Sequence, residues 1–257
     1  VIDRPLPEIG DKGLFTSELE SALLSGEVGA AVHSLKDLPV EDTPGISLGA
    51  VPARDSALDV LVSARGESLA DLPDSARVGT CSLRRAAQVR AQRSDLTLLP
   101  VRGNVETRLR KVMDGEYEAI VLAAAGLKRL GLERHISETF SADVMLPAPG
   151  QGALAVQCRT ADIETLRLLT AIDDLRTRAA VSAERAFLAG LGGGCSLPVA
   201  ALAQADAERG RIDLTGVVIS VDGKKSIRLK AVGEAPAALG EHLAQLAIQR
   251  GAKELLS

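Results

Sequence analysis

The fold of this chain is decided by the stretch Gly79–Lys111, which reads GTCSLRRAAQVRAQRSDLTLLPVRGNVETRLRK. A short strand is expected to end at Arg77-Val78, a turn follows at Gly79-Thr80, and Cys81-Ser82 can cap a helix. The same order returns over residues 96–104, where a strand and an Arg-Gly turn lead to an asparagine cap. Consecutive strand–turn–helix units are typical of an open α/β sheet, which binds ligands at the carboxyl ends of its strands.

This stretch is strongly cationic, although the whole chain has a net charge of −4. Arginines at a helix N-terminus oppose the helix dipole unless an anion lies on the turn. We therefore expect an anion site at the four arginines beside the two turns, which are Arg84, Arg85, Arg102 and Arg108. The other cations are expected on solvated helix faces, and these are Arg90, Arg93, Arg110 and Lys111.

The expected anion is a small polycarboxylate or a phosphorylated molecule, because arginine forks match both groups. A nucleic acid is disfavoured by the acidic net charge, the absence of Trp and the single Tyr, since such surfaces combine basic grooves with aromatic side chains. The sequence has no GxxxxGK(S/T) loop, which disfavours a nucleoside triphosphate.

The composition is that of a globular protein with an aliphatic core: 46% of the 257 residues are hydrophobic and 2% are aromatic. No apolar run reaches about 18 residues, so no membrane span is expected, and no signal peptide is recognisable. Three widely spaced cysteines argue against a disulfide framework and for a reducing compartment. The three histidines form no metal-binding pattern.

Strands and helices alternate along most of the chain. Helices are expected at 16–24, 162–173, 175–189 and 236–250, and strands at 29–33, 46–51, 57–62, 117–123, 153–157, 197–204, 211–220 and 226–232. The last two strands flank a hairpin signal at Asp222-Gly223. This order predicts parallel α/β domains followed by a small α+β domain.

Lys36 and Asp37 come directly after an expected strand. From spacing alone, an exposed pair of little energetic value is the simpler interpretation. The functional alternative is a carboxylate among arginines, which nearby cations keep ionised and which stabilises a developing cation or relays a proton.

Three glycines precede Cys195 in the segment Leu191–Ser196. A helix C-terminus needs one glycine, whereas three allow a close approach of the backbone and leave Cys195 on an exposed turn. Free cysteines are usually buried and inert, as we expect for Cys81 and Cys158. For Cys195, a reactive or covalently modified thiol and a buried, inert one are equally good interpretations. If the thiol is functional, an attachment point fits better than a fast nucleophile, because a helix C-terminus does not lower a thiol pKa.

Seven stretches resemble the porphobilinogen deaminase (hydroxymethylbilane synthase) family. They are KGLF at 12–15, HSLKDLP at 33–39, GTCSLRR at 79–85, VRGNVETRL at 101–109, AAAGLKRLG at 123–131, LPAPGQGA at 146–153 and ERAFLAGLGGGCSLPV at 184–199. They span nearly the whole chain in the family's order, and together they are highly specific although no single one is.

The resemblance implies a monomeric three-domain enzyme of the cytoplasm, or of the plastid stroma in a photosynthetic eukaryote. Domain 1 (1–52 and 153–171) and domain 2 (53–152) would be doubly wound α/β halves like those of type II periplasmic binding proteins, with a cleft between them. Domain 3 (172–257) would be a small α+β unit carrying Cys195. Neither nucleic acid nor a membrane is an expected partner.

The resemblance also implies a transferase of tetrapyrrole biosynthesis, which leads to heme and chlorophyll. Four porphobilinogen molecules would be deaminated, through azafulvene-like cations, and joined head to tail into hydroxymethylbilane. A dipyrromethane cofactor, held by Cys195 through a thioether, would prime the growing polypyrrole chain. Each pyrrole carries an acetate and a propionate, so that chain is a polyanion and suits the arginines.

Residue roles follow from the same resemblance. Asp37 matches the catalytic acid, whose carboxylate would contact pyrrole N–H groups and stabilise the cation. Lys12 and Phe15 match a mobile loop over the cleft, and no metal is implied. The positions that match cofactor- or substrate-binding residues are Lys36, Thr80, Ser82, Arg84, Arg85, Arg102, Arg108, Arg129 and Gln151.

One departure from the family pattern concerns the start of the chain. The family normally begins with a strand and a helix bearing an Arg-x-Ser motif that binds the cofactor, and nothing precedes Val1 here. Either the protein is truncated or the sequence is a piece of a longer one; in both cases domain 1 of this sequence lacks that strand and helix, and Val1 is expected to fall within the mobile loop.

Two other functions remain open at this level. One is a non-enzymatic, two-lobed binding protein for a small carboxylate, which would bind reversibly and carry no group on Cys195. The other is a phosphosugar or nucleotide enzyme, for which the sequence offers no supporting base or metal constellation. The GGGC turn favours the deaminase over both.

Overall fold

The computed structural model describes residues 14–194, 197–206 and 208–256. Within these ranges, no helix is long and apolar enough to cross a membrane.

The first sheet has the strand order β1-β8-β2, so its middle strand comes from far along the chain. Helix α1 (Leu14–Ser25) precedes β1 (Ala30–Ser34), and β2 (Ile46–Ala50) follows at some distance. Strand β8 (Leu154–Arg159) runs antiparallel to both. The residues after β1, predicted as a loop, form a short 3₁₀ turn at Leu35–Asp37, in which the Leu38 N–H donates to the Leu35 carbonyl.

The second sheet has five strands in the order β5-β4-β6-β3-β7. Its strands are β3 (Asp59–Ser63), β4 (Arg77–Gly79), β5 (Thr97–Leu99), β6 (Ala119–Ala123) and β7 (Glu138–Thr139), and its helices are α2 (Leu83–Gln92), α3 (Val105–Met113) and α4 (Ala124–Arg129). A 3₁₀ turn at Glu133–His135 precedes β7. The two predicted strand–turn–helix units are confirmed as β4–α2 and β5–α3, with β4 parallel to β5 and β6.

The prediction of parallel strands in the α/β domains is wrong for β3 and β8. Strand β3 lies antiparallel to β6 and β7, and β8 lies antiparallel to its neighbours in the first sheet. Both strands come directly after the chain passes from one sheet to the other. Parallel order requires a crossover connection that returns to the same sheet, and neither strand has one.

Helices cover both faces of the five-stranded sheet. Helix α2 packs on one face through Val89, and α3 and α4 pack on the other through Leu109, Val112 and Leu127. Strand β3 is therefore buried at all five of its residues, as expected for a doubly wound sheet.

The C-terminal region is an antiparallel sheet of order β11-β10-β9, covered on one face by helices. Its elements are α6 (Leu175–Gly190), β9 (Val199–Asp206), β10 (Arg211–Ile219), β11 (Ser226–Gly233), α7 (Pro236–Gln249) and the unpredicted α8 (Ala252–Leu256). Before it, α5 (Ile163–Leu169) gives way to a 3₁₀ turn at Thr170–Ile172, so the helix predicted over 162–173 is shorter than expected. The predicted α/β fold with a small C-terminal α+β unit is confirmed.

The C-terminal sheet also packs against α2. Ala87 of α2 and Leu146 form one buried cluster with Ala200, Val217 and Ile219 of the sheet. This contact brings the last third of the chain up to the cationic stretch.

Candidate active site

Residues from four distant parts of the chain line one cavity of about 170 Å³. The cavity lies where the 3₁₀ turn after β1, the start of α2, the linker before β8 and the end of α6 meet. Its polar lining consists of Lys36, Asp37, Ser82, Arg84, Arg85 and Gln151, and its remaining lining consists of Ala148, Pro149, Leu188, Gly194, Leu197 and Val199. The structure therefore brings together six of the residues that the sequence predicted as catalytic or binding.

The turn before α2 is fixed by two hydroxyl groups. The Ser82 hydroxyl accepts a hydrogen bond from the Arg85 N–H and caps the helix, as predicted. The Thr80 hydroxyl accepts from the Ser82 N–H at 3.1 Å. Ser82 lines the cavity, whereas Thr80 is buried and is not part of the cavity lining.

A buried carboxylate, Asp59, pairs with both arginines of α2. Its oxygens lie 2.7 Å from Arg84 Nη1 and 2.8 Å from Arg85 Nη2, and the Asp59 side chain has no exposed surface. Burial by itself would raise the pKa of Asp59, but the positive charges of Arg84 and Arg85 outweigh it and hold that pKa well below its usual range. Both arginines are almost fully buried as well, so the site is a desolvated cluster of charges rather than a solvated helix end.

Arg84 and Arg85 differ in how many of their guanidinium N–H donors are left for a ligand. Arg85 uses all three guanidinium nitrogens, donating to Asp59, the Val121 carbonyl and the Gln151 Oε1. Within the described residues, the hydrogen bonds of Arg84 all pass through Nη1, to Asp59 and the Leu146 carbonyl. Arg84 therefore has more capacity than Arg85 to bind an anion directly.

Sequence reasoning missed Asp59. It is the one acidic residue of the strand Asp59–Ser63, which is otherwise apolar apart from its last serine. A carboxylate in a strand covered on both faces requires a buried cation, and the sequence had already singled out Arg84 and Arg85 as candidate binding residues. That signal could have identified the pairing.

Gln151 connects the two sides of the cavity. Its side-chain amide donates to the Ala57 carbonyl at 2.7 Å and to Asp59 at 2.9 Å. Its Oε1 accepts from Lys36 Nζ and from Arg85, each at 3.4 Å. Gln151 is fully buried, so it fixes the charged groups relative to one another as well as lining the cavity.

Lys36 and Asp37 differ in their surroundings although they are neighbours. Asp37 is exposed, and Lys36 is partly buried. Burial, followed by the charge of Arg85, lowers the pKa of Lys36 to about 8, while Asp37 and Asp59 act in the opposite direction. The interpretation as a simple surface ion pair is therefore wrong for Lys36, which belongs to the charged cluster of the cavity.

The other predicted binding arginines lie outside the cavity lining. Arg108 is half-buried, and its Nε donates to the Gly103 carbonyl at 2.8 Å. Burial lowers its pKa, the charges of Cys81 and Asp37 oppose this shift, and the charge of Arg85 adds to it. Arg102 and Arg129 are exposed, and Arg129 donates to the Gly152 carbonyl at 2.9 Å.

Two predictions for this stretch are corrected by the structure. Arg93 is not on a solvated face: its guanidinium binds Asp95 and donates to the Leu69, Ala70 and Leu72 carbonyls. These carbonyls form a turn that a single arginine can reach, a contact that spacing cannot reveal. Cys81, predicted as buried, is exposed beside the turn.

A second buried carboxylate, Glu184 of α6, was also missed. It accepts hydrogen bonds from Arg54 Nη1 at 2.6 Å, from the Gly150 N–H at 2.7 Å and from the Ala203 N–H at 2.8 Å. Arg54 in turn donates through Nε to the Gln151 carbonyl. Glu184 thus joins the linker that holds Gln151 to the C-terminal sheet.

The predicted attachment residue, Cys195, lies outside the described residues, as does Lys12, and the side chain of Phe15 is not described. The residues on either side of Cys195 are informative, because Gly194 and Leu197 both line the cavity. All three glycines before Cys195 have positive φ values, of 101°, 60° and 120°. Only glycine adopts such a run without cost, and the run directs the chain to the cavity.

The fold and this cavity define an α/β protein in which buried arginines line a cavity beside an exposed carboxylate. Comparison with known proteins identifies the family. Residues 1–167 match the family model described as porphobilinogen deaminase, dipyromethane cofactor binding domain, and residues 178–249 match the one described as porphobilinogen deaminase, C-terminal domain. The chain belongs to the porphobilinogen deaminase family.

Curated relatives agree over the full length of the chain. The porphobilinogen deaminase of Roseiflexus castenholzii is 52% identical over 100% of this chain and 84% of its own length. That of Brevibacillus brevis is 47% identical over 100% of this chain and 83% of its own. The chain is therefore a transferase of tetrapyrrole biosynthesis that condenses porphobilinogen into hydroxymethylbilane with a dipyrromethane cofactor, and the hypothesis of a non-enzymatic binding protein is not supported.

Solved structures with a similar arrangement include periplasmic ligand-binding domains. The VFT2 domain of Bordetella pertussis BvgS has a TM-score of 0.39 and 16% identity, over 66% of this chain and 71% of that one. The putative sulfonate-binding protein SsuA of Methylobacillus flagellatus has a TM-score of 0.38 and 12% identity, over 66% and 51%. At these scores the similarities carry no functional argument.

Proposed function

We propose that the cavity is the active site, that Asp37 is the catalytic carboxylate and that Cys195 is the attachment point of the cofactor. One observation carries this proposal: six predicted residues and the two residues that flank the Cys195-Ser196 segment line the same cavity. These residues are far apart in the sequence, so the fold is what brings them together in one cavity.

Asp37 is suited to stabilise the cation that forms when porphobilinogen loses ammonia. Its side chain is exposed and faces the cavity, so a pyrrole N–H can approach it. A fixed negative charge beside a developing positive charge is worth more in a confined site than in water. The same carboxylate can hold a proton at the leaving amine.

Lys36, Arg84 and Arg85 bind the acetate and propionate groups of the substrate. Each charge-assisted contact contributes roughly 1.5–3 kcal/mol. Arg84 makes the most direct contact, because its Nε and Nη2 keep donor capacity, and Arg85 supports it. Ser82 and Gln151 supply neutral polar contacts, and Leu188, Leu197 and Val199 supply an apolar wall for a pyrrole ring.

The residues present fit a dipyrromethane. The lining pairs cations with an apolar wall, as a pyrrole bearing carboxylates requires, and the glycine run leads from α6 into the cavity. When bound, the cofactor supplies the pyrrole on which the chain grows. Lys36, Arg84 and Gln151 would hold it.

The remaining assignments rest on the sequence resemblance. Arg102, Arg108 and Arg129 would bind carboxylates of a longer polypyrrole, Thr80 would support the turn, and Lys12 and Phe15 would belong to a loop over the cleft. Domain boundaries at 1–52 with 153–171, 53–152 and 172–257 are supported by the grouping of strands, since each sheet falls inside one of them. We further propose a monomer of the cytoplasm that acts without nucleic acid or membrane.

Intact-mass analysis tests the proposal. The purified protein, incubated with porphobilinogen, should gain the mass of a dipyrromethane, and peptide mapping should place the gain on Cys195. Cys195→Ala should not gain it, whereas the matched control Cys81→Ala should. A gain that persists in Cys195→Ala would contradict the assignment of the attachment point.

A further inference from the structure

The pairing of Asp59 with Arg84 and Arg85 has a consequence for the charge of the cavity floor. Two buried arginines beneath a polyanion would by themselves bind it very tightly, because the attraction between charges grows as water is excluded. Asp59 touches both guanidiniums, is fully buried and is not part of the cavity lining. It leaves the trio with a single net positive charge.

We propose that Asp59 is a charge-balancing, positioning residue that limits how tightly the floor holds carboxylates, so that the growing chain can be shifted and released. This inference rests on the proposed function of the cavity and deepens it. The reaction adds four substrate units within one site, so carboxylates of the growing chain have to change partners as the chain lengthens.

The contacts of Arg84 and Arg85 indicate that Asp59 balances their charge and does more than hold the two guanidiniums in place. Arg84 and Arg85 each have a positional contact besides Asp59, with the Leu146 and Val121 carbonyls respectively. Gln151 supplies a further contact to Arg85 and also binds Asp59. Asparagine at position 59 would keep the shape and one of the two acceptor oxygens of this network, and it would remove the negative charge.

Asp59→Asn is therefore the first test, with Asp95→Asn as the matched control. Asp95 forms a surface pair with Arg93, so the control makes the same change in net charge far from the floor. The binding of citrate, an unreactive tricarboxylate, is measured by calorimetry at low salt. We expect Asp59→Asn to bind citrate about tenfold more tightly than the unmodified protein, by analogy with one added charged contact, and Asp95→Asn to bind it equally.

Retention of substrate gives a second readout. After incubation with a small excess of porphobilinogen, the intact mass reports how many substrate units remain on the protein. We expect Asp59→Asn to retain more units, with a lower kcat and an unchanged or lower KM. Citrate binding that is unchanged or weaker in a variant of normal Tm would overturn the proposal.

The double variant Asp59→Asn/Arg84→Gln keeps the test decisive if the single variant folds poorly. It removes one negative and one positive charge, so the floor regains a single net charge. Citrate binding should be no tighter than in the unmodified protein, because the net charge of the floor is restored and the direct contact of Arg84 is lost. A double variant that still binds citrate tightly would show that Asp59 acts otherwise than through charge. Failure of the proposed function would look different, because the unmodified protein would then gain no mass from porphobilinogen.

Discussion

Lys36 and Asp37 are adjacent residues that face one cavity with opposite charges and different exposure. Lys36 is drawn into the buried network through Gln151, and Asp37 remains accessible. The 3₁₀ turn that they share turns both side chains towards the cavity, which an extended strand would not do because successive side chains would alternate.

Asp37→Asn should lower kcat by about 10²–10³-fold, the range for removing one preorganised electrostatic contact from an active site. The cofactor should remain attached, because the substitution changes neither Cys195 nor the arginines. Turnover of porphobilinogen and intact mass, measured on the same sample, check both statements. Asp42→Asn, an exposed carboxylate on the same segment, should leave turnover unchanged, and a normal rate in Asp37→Asn would exclude Asp37 from catalysis.

The pKa of Lys36 predicts a pH dependence of binding. This pKa is lowered to about 8, so the cavity loses a positive charge as the pH rises through 8, and KM for the anionic substrate should increase above that pH. For stability the sign is reversed: charging Lys36 disfavours folding below pH 8, and this cost is relieved between pH 8 and the ordinary pKa of lysine near 10.4.

Lys36→Arg isolates this effect, because arginine stays charged over the whole range. The rise of KM between pH 7.5 and 9.5 should become much flatter in this variant. Steady-state kinetics across that range provide the measurement. The same rise in both proteins would assign the titration to another group.

The role of a residue could be predicted where it depends on a local sequence pattern. It could not be predicted where it depends on a partner that is distant in the sequence. The glycine turn and the cap marked Arg84 and Arg85 as special. Their partner Asp59 is 25 residues from Arg84, in a strand whose burial is known only once the sheet is assembled. For this reason the sequence indicated an open anion site, whereas the structure contains one that is partly occupied by a carboxylate of the protein itself.

At the scale of elements, the linker before β8 is shaped by glycine. Gly152 has a φ of +85°, and a Cβ there would lie 2.6 Å from the carbonyl oxygens of Asp55 and Ser56. Neither backbone group can move without displacing the segment that leads into β3. The linker therefore depends on glycine at this position to place Gln151.

Gly152→Ala should destabilise the protein by about 3 kcal/mol or more, combining the cost of a positive φ with that of an overpacked contact. Gly115→Ala is the matched control, since Gly115 has a φ of +76° and open space around its Cβ position. It should cost about 1–3 kcal/mol from backbone conformation alone. Urea unfolding gives both free energies, and equal losses would refute the contact with the 55–56 carbonyls.

Elements with clear caps were predicted well, and those that depend on tertiary contacts were not. Ser82 and Asn104 cap α2 and α3 as predicted, because capping is a local interaction. The direction of β3 and β8 and the short strand β7 depend on which sheet receives the chain. Local propensity carries no information about that choice.

At the scale of the whole molecule, Glu184 joins regions that are distant in sequence. It is fully buried and accepts hydrogen bonds from Arg54, from the linker at Gly150 and from strand β9 at Ala203. A break in this network therefore affects the linker and the C-terminal sheet together, and both contribute to the cavity.

Glu184→Gln should lower the free energy of unfolding by about 3–5 kcal/mol, because Arg54 would keep a buried charge without its partner. The matched control is Glu116→Gln, which removes a half-exposed carboxylate paired with Lys111 at 3.5 Å. That change should cost less than about 1 kcal/mol. Chemical unfolding of both variants checks the contrast, and similar small losses would mean that the network adds little to stability.

The position of β8 between β1 and β2 has a consequence for the order in which the protein folds during synthesis. Among the described residues, β1 and β2 pair only with β8, so the described part of this sheet is complete in sequence only when the ribosome has produced Leu154–Arg159. The strands of the five-stranded sheet all lie between Asp59 and Thr139, so that sheet is complete in sequence earlier. The second unit along the chain thus has all of its described strands before the first unit does, so it can fold as a unit earlier during synthesis.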